Sequence, residues 1–283
     1  MVAVLSIQSH VAYGHVGNSS AVFPLQRLGI EVWPVHTVQF SNHTGYGEWR
    51  GRVFDGQAIE EVVDGIADRG VLGGCDAVLS GYLGSADIGH AVVATAQRVR
   101  RANPAAVYCC DPVIGDVGRG VFVRPGIPEF MREVAVPAAD LVTPNHFELD
   151  SLAGTATRTL DAVKDAVAAV QAMGPRVVLT TSLDTDDTPA DAVDLLASEG
   201  GRHVRVRTPR LDVAVNGAGD AIAALFLAHW LASRDAGAAL GAAAATVHGL
   251  LAATERARSR EIVLVAAQDE VVAPSRTFPA EEV

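Results

Sequence analysis

The chain has 283 residues, 49% of them apolar and 19% charged, with a formal charge of −11 at pH 7. That balance supports one domain, residues 1–283, around a sizeable core, and it excludes a disordered chain. No basic stripe exists to neutralise a nucleic-acid backbone or an anionic membrane, so an anionic ligand must be met locally by backbone amides, a metal and a few basic residues.

In chain order, short apolar strands alternate with helical stretches. Residues 2–7 read as a strand, 19–28 as a helix closed by Gly29, and 31–38 as a second strand. A helix over 59–67, a strand over 76–79, a helix over 88–101 and a strand over 106–110 follow. The next expected elements are a helix near 129–134, a strand at 141–142, a helix over 160–173 and a strand over 176–180. Residues 192–197 and 202–207 read as a hairpin joined at Glu199-Gly200-Gly201, and Ala-rich helices over 218–231 and 238–253 come last. Strands that are apolar throughout, each followed by a helix, imply a mostly parallel sheet covered on both faces, a three-layer α/β/α fold. Ligands of such sheets lie beyond the carboxyl ends of the strands.

Cys75, Cys109 and Cys110 are too few and badly spaced for a disulfide framework and read as small buried hydrophobes. No charged n-region or signal core opens the chain, and the apolar run 221–231 is too short to cross a bilayer, so a cytoplasmic protein is expected. The 184–189 loop is polar and expected to be solvated. His203, Arg205 and Arg207 alternate with Val204 and Val206, giving one basic strand face best explained as solvated or edge-protecting.

The segment Asn216-Gly217-Ala218-Gly219-Asp220 precedes the first Ala-rich helix. Glycines around a small residue let successive N–H groups converge, and a helix N-terminus adds unpaired donors and a positive dipole end. The result suits the charge on a transferring phosphoryl group, with Asp220 placed to accept a hydroxyl proton. Gly and Asp are equally what any helix start favours, so this segment alone does not decide between a catalytic loop and a plain cap.

Gly-Ala-Gly-Asp before a buried helix resembles the signature of ribokinase-like small-molecule kinases. Within them, five further segments resemble pyridoxal kinases: Ser6-Ile7-Gln8-Ser9-His10-Val11-Ala12-Tyr13-Gly14-His15-Val16-Gly17-Asn18, Val38-Gln39-Phe40-Ser41-Asn42-His43-Thr44-Gly45-Tyr46-Gly47, Ser80-Gly81-Tyr82-Leu83-Gly84-Ser85, Cys110-Asp111-Pro112-Val113-Ile114-Gly115-Asp116, and Thr143-Pro144-Asn145-His146-Phe147-Glu148. They run in the family's order and span nearly the whole chain, which is more specific than any one Gly-rich loop.

The resemblance implies a ribokinase-like fold without the lid of the sugar kinases, a homodimer, no nucleic-acid or membrane partner, and ATP-dependent phosphorylation of the 5′-hydroxymethyl group of pyridoxal or a related vitamer. It implies that Ser9, His43, Thr44, Gly45, Tyr82 and Asp220 bind the vitamer, with Tyr82 and Val16 packing on its ring. Gly217, Ala218 and Gly219 would hold the phosphoryl group beside the base Asp220. Asp111 and Glu148 would approach Mg²⁺, while Asp116, Thr143, Asn145, Thr180 and Thr181 would lie along ATP. Arg207, Thr208, Pro209 and Arg210 are placed beside the adenine. K⁺ is a further candidate cation. Residues 115–124 correspond to the flap that closes over the site in the family, and no cysteine falls there to capture an aldehyde. Individually, Ser9 reads equally as a strand-end hydroxyl, His43 as a satisfied loop histidine, and Asn145 to Glu148 as a capped helix start. His10, His15 and His43 lack acidic partners at ligand spacing for a metal. Two rivals stay open: a kinase for another hydroxymethyl heterocycle such as hydroxymethylpyrimidine, and a vitamin B6 binding protein without catalysis.

Overall fold

Why strands without polar–apolar alternation should form a sheet is answered by two cores, one on each face. The computed structural model describes residues 1–283. Its elements are β1 (Ala3–Tyr13), α1 (Asn18–Arg27), β2 (Glu31–Asn42), β3 (Gly51–Val53), α2 (Gly56–Ala67), β4 (Ala77–Ser80), α3 (Ala86–Ala102) and β5 (Val107–Cys110). There follow β6 (Gly115–Asp116), β7 (Gly120–Val121), α4 (Ile127–Phe130), α5 (Val136–Ala138), β8 (Leu141–Val142), α6 (His146–Ala153) and α7 (Leu160–Gln171). The C-terminal third holds β9 (Val177–Leu183), β10 (Ala192–Glu199), β11 (Arg202–Pro209), α8 (Ala218–Ser233), α9 (Ala236–Ala257), α10 (Asp269–Val272) and β12 (Ala280–Glu282).

Ten strands form one sheet in the order β12-β11-β10-β9-β8-β5-β4-β1-β2-β3. The six from β9 to β2 pair in parallel, and antiparallel strands extend both ends. Successive residues of the central strands feed opposite cores. Leu5, Val78, Tyr108 and Val142 pack toward α2, α3 and α7, while Val4, Leu79, Cys109 and Leu141 pack toward α1, α8 and α9. These cores contain 35 and 30 buried residues, so both faces are covered almost equally and the three-layer expectation holds.

The differences from the expected elements have physical causes. Strand β1 runs six residues past the expected end at Ile7 because a longer β2 continues to pair with it, through a bulge between Gln8 and His10. Ser9 therefore sits inside a strand, not at its end. The 115–124 stretch contains the short β6–β7 hairpin, and β12 covers the outer side of β11. The basic face of β11 is partly solvated but not an edge: Arg205 pairs with the exposed Asp187 and Glu281, and Arg207 pairs with Asp194, whose side chain is 3% exposed. Thr185, within the loop expected to be solvated, is buried and bonded to Asp187 and Thr188. All three cysteines are free and buried. Helix α9 is long and apolar enough to span a bilayer by composition, but 67% of its apolar window is buried inside the fold.

Candidate active site

Five of the ten helices are closed by a side chain. Asp55, Ser85, Asn145, Thr159 and Asp235 accept from the first turns of α2, α3, α6, α7 and α9. Helix α8 has no such cap: Gly217 stands at its N-cap with no side-chain hydrogen bond. Its first N–H groups are therefore free toward the space in front of it. Gly217 has φ +91°, and a Cβ there would overlap the His15 carbonyl oxygen. Its own carbonyl accepts from Ser20 Oγ at 2.8 Å, which fixes the turn against α1. Only glycine fits this position.

That helix end opens into a cavity of about 700 Å³ running along the carboxyl edge of the sheet. Ser9, His43, Thr44 and Tyr82 line it, as do Gly217, Ala218, Gly219 and Asp220. Asp111, Asp116, Thr143, Asn145, Glu148 and Thr181 are also on its wall, with Thr208, Pro209 and Arg210. The expected residues are thus brought together from segments more than 200 positions apart. Three do not line the cavity: Gly45, Thr180 and Arg207. Gly45 is exposed, and a Cβ there would crowd the Asn216 amide and the His43 ring. Thr180 is fully buried in β9 with an unpartnered hydroxyl. The Arg207 guanidinium pairs with Asp194 at 2.6 and 2.7 Å.

Asp220 is half-buried, reachable from the cavity and otherwise enclosed. Burial raises its carboxyl to about 6, opposed by the N–H groups of Gly17 and of Asp220 itself. Asp111 is pushed well above the usual carboxylate range by burial and by the charges of Glu148 and Asp220. It accepts from Thr143 Oγ1 at 3.0 Å, so Thr143 acts here by orienting Asp111. Glu148 rises to about 7, chiefly through burial. Its Oε2 accepts from the Asn145 N–H at 2.9 Å, and its Oε1 from Ile114 and Gly115 N–H at 2.9 and 3.4 Å. With Asn145 Oδ1 accepting from Glu148 N, this is a complete capping box. The Asn145 amide is engaged at both ends, since Nδ2 donates to Gly115 O at 2.8 Å and holds the β6 hairpin. The capped-helix reading of 145–148 is therefore correct, and it coexists with a place on the cavity wall. A bulge between β9 and β10, with Ser182 at φ +52°, turns Thr181 and Ser182 toward the cavity.

Asp111, Asp116, Glu148 and Asp220 put four carboxylates on this wall, against two guanidinium-bearing residues, Arg119 and Arg210. No three acidic, His or Cys side chains stand close enough to hold a metal alone. Two raised, buried carboxylates short of positive charge suit a hard divalent cation that takes its remaining oxygens from phosphates and water.

The contribution that the sequence did not signal is Glu261. Its Oε1 accepts from His43 Nε2 at 2.8 Å and Tyr46 Oη at 2.7 Å, and its Oε2 from His15 N at 3.1 Å. It lies after α9 in no glycine-rich or strand-end motif, and no local pattern marks it.

Residues 52–262 match the family model described as phosphomethylpyrimidine kinase. The chain is 58% identical to pyridoxal kinase PdxY of Granulibacter bethesdensis over 98% of this chain and 99% of that one. It is 57% identical to pyridoxal kinase PdxY of Rubrobacter xylanophilus over 99% and 97%. Among solved structures, pyridoxal kinase from Leishmania donovani in complex with ADP and pyridoxamine superposes with a TM-score of 0.92 at 31% identity, covering all of both chains. With its sheet order, its uncapped glycine turn and these relatives, the chain belongs to the pyridoxal kinase family, within the phosphomethylpyrimidine kinase group.

Proposed function

We propose that this chain transfers the γ-phosphoryl group of ATP to the 5′-hydroxymethyl group of pyridoxal or a related vitamer. The observation that carries the reading is one cavity lined both by Asp220, at the uncapped end of α8, and by Ser9, His43, Thr44 and Tyr82. The relatives' names and the nucleotide- and vitamer-bound neighbour support it.

In this mechanism Ser9 and Thr44 offer hydroxyls to the polar edge of the heterocycle, and Tyr82 and Val16 pack on its ring. Asp220 in its ionised form takes the alcohol proton as the oxygen–phosphorus bond forms and the bond to the ADP oxygen breaks. The N–H groups of Gly217 to Gly219 stabilise the charge on the transferring group without reorganising. Thr208, Pro209 and Arg210 are assigned to the nucleotide, and the apolar Val213, Val247 and Leu251, which also line the cavity, suit a base. Asp111 and Glu148 would hold Mg²⁺, which when bound offsets phosphate charge. The hairpin carrying Arg119 and Phe122 walls the cavity and restricts water.

Exposed Tyr13, Trp49 and Val53 lie on or near the β2–β3 end of the sheet and suit a second copy of this chain. The competing reading, a hydroxymethylpyrimidine kinase, has the family model's description in its favour. ADP release measured with pyridoxal, pyridoxine, pyridoxamine and hydroxymethylpyrimidine separates the two. The B6 vitamers should have the higher kcat/KM. A preference for hydroxymethylpyrimidine would replace it, and no ADP release with any of the four would leave only a binding protein.

A further inference from the structure

Residues 250–264 carry Glu261 to the vitamer end as a fixed strut. Ile262 and Leu264 are buried with Leu250 against Phe23 and Val215. Val263 N donates to Thr254 Oγ1 at 3.1 Å, and Ser259 Oγ donates to the Glu261 carbonyl at 2.6 Å. The chain around residue 14 is shaped to admit the carboxylate: Gly14 has φ +95°, and a Cβ there would lie 2.5 Å from Glu261 Oε2. Arg260 stacks over the Tyr46 ring at 4.7 Å, so the same turn grips the β2 end twice.

The side chains of His43 and Glu261 are only 9% and 12% exposed. Burial would raise the Glu261 carboxyl, but the bonds accepted from Tyr46, His43 and the His15 N–H hold it below its ordinary range. An ionised carboxylate has no proton to give, so His43 Nε2 must be the donor across the 2.8 Å contact. In the neutral ring the other nitrogen is then an acceptor. The one hydrogen-bond partner of His43 Nδ1 is the Asn216 amide at 3.5 Å, the outer limit of a hydrogen bond, and Gly45, lacking a Cβ, packs beside it. Asn216 immediately precedes Gly217, so the same ring sits between the vitamer pocket and the phosphate turn.

We infer that Glu261 is a positioning residue for substrate recognition: it locks His43 in the Nε2–H tautomer and so presents Nδ1 to the cavity as an acceptor for a hydroxyl or N–H group of the heterocycle. The inference rests on reading this cavity as the vitamer site. It assigns to a residue 218 positions from His43 the choice between a donor and an acceptor at the pocket wall.

Imidazole ¹⁵N NMR on the full chain, with kinetics, tests it. In the wild type the His43 signals should report a protonated Nε2 and a bare Nδ1. Glu261→Gln, which keeps shape but accepts less well and can itself donate, should mix the tautomers and raise the KM for pyridoxal about tenfold or more. The KM for ATP and kcat should stay within about threefold, since Glu261 does not itself line the cavity. Tyr46→Phe removes the neighbouring bond but not the one to His43, so the tautomer should persist and the KM for pyridoxal should change less than about threefold. A wild-type ring protonated on Nδ1 overturns the inference, as does an unchanged tautomer in Glu261→Gln even with a raised KM. An equal KM rise in Tyr46→Phe also overturns it, because Glu261 would then act only as a strut. Tautomer mixing without a KM change would overturn instead the contact between His43 and the vitamer. The wild-type spectrum decides the tautomer even if Glu261→Gln fails to fold.

Discussion

The two ends of the cavity are built by different means. At the phosphate end the working groups are main-chain: a helix start without a side-chain cap and a left-handed Gly217 whose missing Cβ lets the turn touch residue 15. At the vitamer end they are side chains held by other side chains, with Glu261 binding two loops that meet only in the folded protein. A main-chain site needs its few residues to be contiguous, so it is written in one short stretch of sequence. A side-chain site needs only proximity in space, and its parts can be scattered.

Each half of that contrast can be broken separately. Gly217→Ala attacks the main-chain end. It should cost about 2 kcal/mol in stability through the strained backbone and clash, and about a hundredfold in kcat through displaced donors. Denaturant titration and turnover read both. A fully active alanine variant would show that the turn's geometry does not matter.

Arg207→Ala asks whether the end of β11 meets nucleotide through this side chain. Its guanidinium is tied to the buried Asp194, so the variant should lose about 2 kcal/mol of stability by leaving that carboxylate unpaired. The KM for ATP should stay unchanged. A stable protein with a raised KM for ATP would place Arg207 on the nucleotide after all.

The smallest effect concerns the cost of keeping Asp220 in its enclosed position. Its carboxyl stands at about 6 in the folded chain against an ordinary 3.8. A raised carboxyl favours the folded state when protonated. That stability is complete below pH 4 and is lost as pH rises through about 6; Glu148, at about 7, acts in the same direction. Asp220→Asn should therefore match the wild type at pH 4 and exceed it by about 1 kcal/mol above pH 7, less than the full shift because the group reaches the cavity. Thermal melts at the two pH values measure this. A variant less stable than wild type at pH 8 would mean that the carboxylate is a structural asset.

The legibility of the sequence followed the same divide. The central strands and their helices were readable because each strand is apolar on both faces and each helix begins or ends at a recognisable cap. Gly217 to Asp220 was readable because the turn is local. What was hidden depends on pairing across space: β1 continues to Tyr13 only because β2 runs beside it, and β11 is not an edge only because residues 280–282 return to cover it. Its arginines look like a solvated face until Asp194, Asp187 and Glu281 are placed opposite them. The capped helix start at 145–148 was readable, but the hold of Asn145 and Glu148 on the 114–115 backbone appears only in three dimensions. Glu261 was not visible at all, since a lone acidic residue after a helix has no pattern until His43 and Tyr46 arrive beside it.

The most direct test of the central claim, a deprotonated Asp220 beside main-chain donors and facing the alcohol, is Asp220→Asn assayed for turnover of pyridoxal and for nucleotide affinity by calorimetry. The shape of the cavity is kept and only the proton acceptor is lost, so kcat should fall by about a thousandfold while ATP affinity stays within about twofold. Turnover close to that of the wild type would contradict the account.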